Sequence, residues 1–352
     1  MSKATVDVGI VGLGEVARMH LKTWRKIESA CMVAVCDSRE QTAKETANKW
    51  NIPAYYTDFS EMLRRQTPSV VDICTPPQTH CALIVQALKS GCHVIVEKPL
   101  AMTTEEVKKI ISTQKESKTK LGVIHNNLFR PVMVKALSLI QRGELGKIIN
   151  VDLRFVAPPN DPMLSNKNHW CHSLPGGRFG EFLAHPIYIL QAILGQMKVK
   201  SVHAMKVGSY PWVPFDELWV NLEGDKGYGS IYASFNSVRD AWSVDVYGTR
   251  SILKLSLDNE TLVLLKRNPI TRLSRAQDIL QQAYQLLFST AQNGASLLFG
   301  NWQMGHEVCL QAFLDSVLND KAPLVTLQEA YDSVETLEKI CKQINVPFQT
   351  TP

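Results

Sequence analysis

The sequence predicts an α/β protein: a doubly wound parallel sheet, followed by an α+β domain with a large, mostly antiparallel open sheet. Up to about residue 122, short apolar β-branched runs alternate with helical patterns, which is typical of parallel strands joined by right-handed helical crossovers. After "RGELGKI", strand-like segments follow one another with few helices between them, as in antiparallel sheets. A chain of 352 residues is long enough for two such domains.

In the first part, each predicted strand is short and apolar, as expected for a parallel sheet buried on both faces. The predicted strands cover residues 6–14, 31–37, 70–76, 93–99 and 120–126. Helical patterns separate them at residues 15–27, 39–50, 79–91 and 103–118. We expect one domain over residues 1–125.

In the second part, residues 126–352, the strand-like segments cover residues 149–156, 198–207, 216–224, 228–237, 241–249, 251–257 and 260–267. Helices are predicted at residues 180–194, 274–292, 305–318 and 327–344. Residues 271–302 are long for a connection and predict a helical insert.

The composition excludes several classes of protein. The net charge of +5 is spread along the chain, with none of the Lys/Arg blocks that grip nucleic acid. The eight cysteines form no CxxC pair, so we expect no structural zinc site. No run of about 18 apolar residues predicts a membrane span. The chain runs from Met1 straight into a strand without a signal sequence, and we expect a cytoplasmic protein.

A glycine-rich turn follows the first strand. "VGIVGLGEVARMH" places Gly12-x-Gly14-x-x-Ala17 between that strand and the first helix. Gly12 permits a tight turn, Gly14 lets a pyrophosphate approach the backbone, and Ala17 lets the helix pack close to the sheet. The helix N-terminus offers N–H groups to phosphates. We therefore predict a Rossmann domain that binds a dinucleotide through Gly12 to Val16, with Leu13 and Glu15 included.

The second strand ends in Asp37, 25 residues beyond Gly12. An acid there binds the ribose hydroxyls of NAD and repels the 2′-phosphate of NADP. Arg39 is the counter-argument, because a nearby arginine accommodates that phosphate. We predict NAD as the cofactor and keep NADP open.

"HVIVEKPL" ends a buried strand with Glu97 and Lys98. These residues either mark the point where the strand reaches water or lie at a ligand site, because open α/β sheets bind ligands at the carboxyl ends of their strands. In a cleft, Lys98 would contact both cofactor and substrate, partly desolvated beside a cationic nicotinamide, which suits proton relay to a substrate hydroxyl.

With these residues in place, the chain resembles the Gfo/Idh/MocA family of sugar and cyclitol oxidoreductases. The resemblance rests on "VGLGEVA", on "VDICTPPQTHCALIVQALKSGCHVIVEKPLAMT", on "RGELGKI" and on the "GG…H" helix. It implies that Thr75, Pro76 and His80 line the nicotinamide half of the cofactor site. It also implies that Glu97 lies near the nicotinamide ribose and that Lys98 faces the reacting carbon. The Lys98–Pro99 peptide is a candidate cis bond.

"LPGGRFGEFLAHPIYILQAILG" predicts a helix that carries Glu181 and His185 four residues apart on one face. An imidazole there can accept the hydroxyl proton while a carboxylate orients it; the alternative is a buried histidine capped by a glutamate. The family usually has Asp-x-x-x-His here, which with the lysine forms a catalytic trio, so Glu181 is a departure. "HNNLFRP" departs from the family's Arg-Phe-x-Pro, and we expect Asn126 at the cofactor and Asn127 at the substrate.

The loop "NKNHWCHSLPGG" precedes this helix. Trp170 suits stacking on a sugar ring and His169 suits hydrogen bonds to hydroxyls, so we predict a wall of the substrate site. His169, Cys171 and His172 are too closely spaced for a usual zinc site, and we expect no metal.

The helical insert has an apolar face that includes Ile279, Leu280 and Leu287. This face either packs on the protein or a sister subunit, or contacts membrane lipid peripherally over residues 276–300.

Together these features predict an NAD-dependent oxidoreductase that acts on a hydroxyl of a sugar, sugar nucleotide or cyclitol. Two alternatives stay open: a lyase or hydrolase of glycosides that keeps NAD bound and uses transient oxidation, and a non-catalytic dinucleotide-binding protein. By resemblance to the family, a homodimer or homotetramer is expected.

Overall fold

The computed structural model describes residues 5–266, 271–298 and 304–344, which fall into two compact units. The first unit comprises Met1–Phe129 and Met304–Glu335, and the second comprises Arg130–Gln303 and Thr336–Pro352. The division into one domain over residues 1–125 and a second over residues 126–352 stays a prediction.

The first unit contains a parallel sheet of six strands in the order β3-β2-β1-β4-β5-β6. The strands are β1 Val6–Val11, β2 Ala30–Cys36, β3 Ala54–Tyr56, β4 Val70–Ile73, β5 His93–Val96 and β6 Leu121–Val123. The helices between them are α1 Glu15–Lys26, α2 Glu40–Trp50, α3 Phe59–Gln66, α4 His80–Lys89 and α5 Thr104–Ser117. This order is that of a doubly wound fold whose strand order reverses between β1 and β4.

The central strands of this sheet are buried on both faces. In β1, Val8 and Ile10 have no exposed surface, and Val71, Ile73 and the β5 side chain Val94 are equally enclosed. Helices on both sides shield them, which explains why the strand sequences are continuous apolar runs. The predicted parallel sheet is confirmed.

The second unit is built on a sheet of seven strands in the order β13-β12-β11-β7-β10-β9-β8. Its strands are β7 Ile148–Val156, β8 Met197–Met205, β9 Glu217–Gly224, β10 Gly227–Ser234, β11 Ala241–Gly248, β12 Ser251–Ser256 and β13 Thr261–Lys266. Only β7 and β10 pair in parallel, and the other neighbours are antiparallel. The prediction of a mostly antiparallel sheet is therefore confirmed.

The helices of the second unit are α6 Pro131–Gln141, α7 Pro162–Ser165, α8 Arg178–Phe182, α9 Ala184–Leu194 and α10 Arg272–Leu298. Two further helices follow, α11 His306–Leu318 and α12 Leu327–Ile344, and the division between the units falls within α12. Within the first unit, α11 packs against α1. Phe313 of α11 lies so close to Gly122 of β6 that a Cβ there would come within 2.6 Å of its ring.

Two local expectations differ from the structure. The sequence patterns missed β3 and the helices α3, α6 and α7. The strand β3 has only three residues and makes no clear alternation. The helix predicted over residues 180–194 is interrupted at one residue: α8 ends at Phe182 and α9 begins at Ala184, with Leu183 between them in helical backbone conformation. Pro186 lacks the N–H that would bond to the Phe182 carbonyl of a continuous helix.

Parts of two predicted segments, residue 267 and residues 299–302, lie outside the described ranges. Within those ranges, no helix is both long and apolar enough to cross a bilayer.

Candidate functional site

The glycine-rich turn has the geometry that the sequence predicts. Gly12 adopts φ of +85°, and a Cβ at this position would lie 2.7 Å from the backbone nitrogen of Thr75. A Cβ at Gly14 would meet no atom within 4 Å in the described part of the chain. Gly14 precedes α1 and gives it no side-chain cap, so the first N–H groups of α1 can bind an anion. Gly12 is thus required by the fold, whereas Gly14 leaves room for a ligand.

Around Gly14, Glu15 is exposed and Val16 is half-buried, while Leu13 is buried. The Leu13 N–H donates to Asp37 Oδ2 at 2.9 Å, which ties the turn to the end of β2. The turn therefore fits the pyrophosphate of a dinucleotide, with Asp37 fixed beside it.

Asp37 and Arg39 form an ion pair. The Arg39 backbone N–H and its Nε both donate to Asp37 Oδ1 at 3.0 Å. Burial raises the pKa of Asp37, but the hydrogen bonds from Arg39 and Leu13 outweigh it and hold that pKa below its ordinary value. The Arg39 side chain is 66% exposed against 7% for Asp37. The carboxylate is therefore anchored, whereas the guanidinium can move toward a ligand.

His80 joins two segments that follow neighbouring strands. Its Nδ1 lies 2.8 Å from the Pro99 carbonyl oxygen and its Nε2 lies 2.9 Å from that of Thr75. His80 has no exposed surface, and burial lowers its pKa. The role of His80 in this geometry is structural, because it holds half-buried Thr75 and Pro76, after β4, against the Pro99 segment after β5.

Lys98 follows β5 and is half-buried. Its backbone N–H donates to Glu97 Oε2 at 3.1 Å, and the Lys98–Pro99 peptide is cis. Asn126 and Asn127 follow β6 and are buried, and Asn126 Nδ2 donates to the Met304 carbonyl at 3.2 Å. Gly12, Thr75, Lys98 and Asn126 thus follow β1, β4, β5 and β6, at the carboxyl edge where doubly wound sheets bind ligands.

A buried polar network lies beneath this edge, and sequence reasoning missed most of it. His20 of α1 is at its centre. Its Nδ1 lies 2.8 Å from Asp72 Oδ2, and its Nε2 lies 3.1 Å from Glu97 Oε1. Trp24 Nε1 donates to the same Asp72 oxygen at 2.7 Å, and His306 Nε2 lies 3.5 Å from Glu97 Oε1. We call His20, Trp24, Asp72, Glu97 and His306 the buried network.

Charges in the buried network stabilise one another. Burial lowers the pKa of His20, but Asp72 more than offsets this and the pKa lies well above its ordinary value. Burial raises the pKa of Glu97, but hydrogen bonds from His20 and His306 bring it well below its ordinary value. An imidazolium between two carboxylates is the consistent description. Glu97, which bonds the Lys98 backbone, is thereby held in one place.

Within the described ranges, two groups of side chains have metal-ligand spacing, and both include His20: one with Glu97 and His306, the other with Asp72 and Cys74. Both ring nitrogens of His20 already face carboxylates at hydrogen-bond distance. The geometry is that of a charged hydrogen-bonded cluster.

In the second unit, Glu181 lies on α8 and His185 on α9, so they do not share one continuous helix as predicted. The Glu181 carboxylate contacts Arg178 Nη1, and Arg178 Nε donates to Asp161 Oδ1 at 3.3 Å. The Arg178 side chain is only 8% exposed. Arg178, which Asp161 also binds, is a partner of Glu181 that the sequence pattern did not identify.

His185 is half-buried and its Nδ1 lies 2.8 Å from the Tyr188 hydroxyl. Its ring also meets the Trp242 ring edge-on at 5.8 Å between centroids. Tyr188 is three residues along α9 and Trp242 is in β11. These two contacts fix the plane of the imidazole.

The loop before α8 brings His169 and Trp170 together, with ring centroids 5.1 Å apart. His169 Nδ1 accepts the Cys171 N–H, and His172 Nε2 lies 3.1 Å from the Asn166 carbonyl oxygen. Cys171 is buried. These side chains are thus engaged with their own loop.

Comparisons with known proteins agree with this architecture. Residues 6–125 match a family model described as "Oxidoreductase family, NAD-binding Rossmann fold", and residues 138–346 match "Oxidoreductase family, C-terminal alpha/beta domain". D-glucoside 3-dehydrogenase of Escherichia coli is 31% identical over 219 residues, which are 59% of this chain and 60% of that protein. Glycosyl hydrolase family 109 protein 1 of Akkermansia muciniphila is 26% identical over 160 residues, 43% of this chain and 33% of that protein.

Among solved structures, the WlbA dehydrogenase of Bordetella pertussis, in complex with NADH and UDP-GlcNAcA, has a TM-score of 0.79 at 17% identity and covers 98% of this chain and 100% of that one. At this identity the likeness shows the fold. The two family models together span most of the described residues, in the order in which the two sheets occur. The chain belongs to the Gfo/Idh/MocA family of oxidoreductases.

Proposed function

We propose that the protein is an NAD-dependent oxidoreductase that transfers a hydride between nicotinamide and a hydroxyl-bearing carbon of a sugar, sugar nucleotide or cyclitol. The observation that carries the proposal is the carboxyl edge of the first sheet. There an open helix N-terminus at Gly14, the anchored Asp37 and Lys98 all follow parallel strands.

The residues of this edge fit a dinucleotide. The N–H groups of residues 13–16 would bind its pyrophosphate, and Asp37 would accept hydrogen bonds from its adenosine ribose. Thr75, Pro76, His80, Glu97 and Asn126 would shape the nicotinamide half, with His80 acting through the carbonyls that it holds. When bound, nicotinamide supplies the hydride acceptor.

NAD is the cofactor that the Asp37 geometry favours, because the carboxylate is ionised and held in place by Leu13 and Arg39. A 2′-phosphate would meet this charge. The exposed Arg39 side chain could instead leave Asp37 and bind that phosphate, which is the route by which NADP would be accepted.

Lys98 and His185 would handle the proton of the substrate hydroxyl. Lys98 would hydrogen-bond the oxygen, and His185 would accept its proton through Nε2 while the Tyr188 hydroxyl holds Nδ1. Because the Glu181 carboxylate is held by Arg178, which Asp161 also binds, Glu181 would act as a substrate-positioning group that assists His185. Asn127, His169 and Trp170 would contact the rest of the substrate.

Turnover tests this proposal. Purified protein is supplied with NAD and a panel of sugars, nucleoside-diphosphate sugars and cyclitols, and NADH formation is followed by absorbance. Wild-type turnover with at least one substrate, and loss of that turnover in Lys98→Met with NAD binding retained, is the expected result. Turnover by Lys98→Met at the wild-type rate would contradict the role of Lys98.

The glycosidase relative from Akkermansia favours one alternative: a hydrolase or lyase that keeps NAD bound throughout its cycle. A full complement of NAD that does not exchange, together with cleavage of a glycoside and no net NADH, would favour that alternative. Binding of NAD with no turnover of either kind would favour a non-catalytic dinucleotide-binding protein. A cytoplasmic location and a homodimer or homotetramer remain predictions.

A further inference from the structure

Helix α10 turns its polar side toward the protein. Gln285 donates from Nε2 to the Leu264 carbonyl at 3.2 Å and accepts the Leu264 N–H through Oε1 at 2.9 Å. Asn293 Nδ2 donates to the carbonyls of Asn259 and Glu260 at 2.8 and 2.9 Å. β13, which contains Leu264, is an outer strand of its sheet. The outward backbone groups of Leu264 are thus bonded by Gln285, and Gln285 and Asn293 are used inward.

The opposite side of α10 is exposed and largely apolar, although Gln277, Gln281, Thr290 and Gln292 are exposed as well. Eight large side chains on it are between 43% and 87% exposed: Leu273, Ile279, Leu280, Tyr284, Leu286, Leu287, Phe288 and Leu298. We call these eight residues the outer face. If each of these side chains exposes roughly 130 Å², the outer face exposes about 1,000 Å² in total. The largest apolar patch of an ordinary monomer exposes roughly 300–600 Å². Among the described residues, this face is not covered by its own unit, which leaves a sister subunit or membrane lipid as the explanations.

The width of the outer face favours lipid over a helical partner. Leu286 and Phe288 are two residues apart, hence about 200° apart around the helix, and both are exposed. A seam between two paired helices is narrower than half of the circumference. Residues 279–298 contain no charged side chain, so they lack the charges by which paired helices set their register.

The charges of α10 complement an anionic surface. Its three charged residues are Arg272, Arg275 and Asp278, all near the N-terminus. Both arginines are exposed, whereas Asp278 is half-buried on the protein-facing side. A helix with an apolar face and cations beside it, on a protein that covers its polar side, matches helices that lie in the membrane interface.

We propose that the outer face of α10 docks the protein on an anionic membrane surface, with the helix axis in the plane of the interface and Arg272 and Arg275 at the lipid headgroups. This docking is independent of the proposed oxidoreductase activity, since none of its residues is assigned to cofactor or substrate.

Sedimentation with vesicles tests the proposal. Full-length protein is mixed with vesicles of phosphatidylcholine alone or with about one third phosphatidylglycerol, and the bound fraction is measured across lipid concentrations. We expect binding to the anionic vesicles. The variant Leu280→Gln/Leu287→Gln should bind about 100-fold more weakly, because two leucines no longer enter the interface. Arg272→Gln/Arg275→Gln should lose about fivefold for each arginine on anionic vesicles only.

The matched control is Val207→Gln/Val238→Gln, which removes two valines of the second unit outside α10 that are 62% and 96% exposed. It should bind vesicles like wild type. All variants change exposed side chains, and unchanged thermal melting and NAD affinity would show that they are folded. If the wild-type protein does not bind NAD, that result would contradict the proposed function and would leave the docking proposal unaffected.

Two results would overturn the docking proposal. The first is absence of vesicle binding by wild type, or binding that the leucine variant retains in full. The second comes from light scattering without lipid: if wild type is an oligomer that the leucine variant reduces to a smaller species, the outer face is a subunit interface. An unchanged mass in the variant, with lost vesicle binding, supports the membrane.

Discussion

Replacing His20 with leucine would remove the centre of the buried network. His20 has no exposed surface, and each of its ring nitrogens faces a carboxylate. Leucine fills much of the space but leaves Asp72 and Glu97 buried without the cation between them. Removing one partner of a buried ion pair costs about 3–5 kcal/mol. At about 2–4 °C for each kcal/mol, His20→Leu should lower the melting temperature by roughly 10 °C.

The destabilisation should depend on pH. The folded pKa of His20 is raised, so its contribution is present in full below pH 6.5, the ordinary value, and is lost as the pH rises through the folded value. The folded pKa of Glu97 is lowered, so its contribution is present above pH 4.5 and is lost as the pH falls through the folded value. The difference between wild type and variant should therefore be largest between pH 4.5 and 6.5.

Urea unfolding of both proteins across this pH range measures the difference directly. The control is His203→Leu, because His203 is exposed on β8 and its loss should change the free energy of unfolding by less than about 0.5 kcal/mol. A loss below about 1 kcal/mol in His20→Leu, or a difference that does not change with pH, would refute an imidazolium held between two carboxylates.

Three further predictions concern the carboxyl edge of the first sheet. Gly12→Ala should destabilise the protein by about 3 kcal/mol, because positive φ adds to a Cβ clash with the Thr75 backbone. Gly14→Ala should leave the melting temperature unchanged and weaken NAD binding. Equal melting temperatures of the two variants would contradict the assignment of Gly12 to the fold and of Gly14 to the ligand. Asp37→Ala should raise the affinity for NADP relative to NAD by about tenfold in competition binding. The substitution removes the charge that repels the 2′-phosphate and releases Arg39. An unchanged ratio of the two affinities would argue against Asp37 as the residue that selects NAD. Lys98→Met should lose at least about 100-fold in kcat with little change in the Kd of NAD, as measured by stopped-flow and calorimetry; a changed Kd with unchanged kcat would give Lys98 a cofactor role instead.

Much of the first unit could be predicted because its information is local. The turn at Gly12, the strand that precedes it and the helix that follows are consecutive in the chain, and Asp37 directly follows the very next strand. The buried network is not local, since His20 meets partners 52 and 77 residues away. One signal was present all the same. Asp72 interrupts the apolar strand "VVDIC", and a charge inside a buried strand requires a partner.

The second unit shows the opposite limit. The four-residue spacing of Glu181 and His185 suggested one helix face, but Pro186 separates α8 from α9, and Arg178 binds the glutamate. Spacing describes residues along an ideal helix and carries no information about a break. The outer face of α10 is a similar case. The apolar periodicity of the sequence predicted this helix. The side of the helix that faces the protein is set by the hydrogen bonds that Gln285 makes to β13, which periodicity does not reveal.

Titration with the two dinucleotides is the decisive test of the cofactor site. Protein stripped of any nucleotide is titrated with NAD and, separately, with NADP, and heat and cofactor fluorescence are recorded. The anchored Asp37 carboxylate beside an open helix N-terminus predicts saturable NAD binding with one site per chain and at least about tenfold weaker binding of NADP. Failure of both dinucleotides to bind would contradict the assignment of this edge as a cofactor site, and with it the proposed oxidoreductase activity.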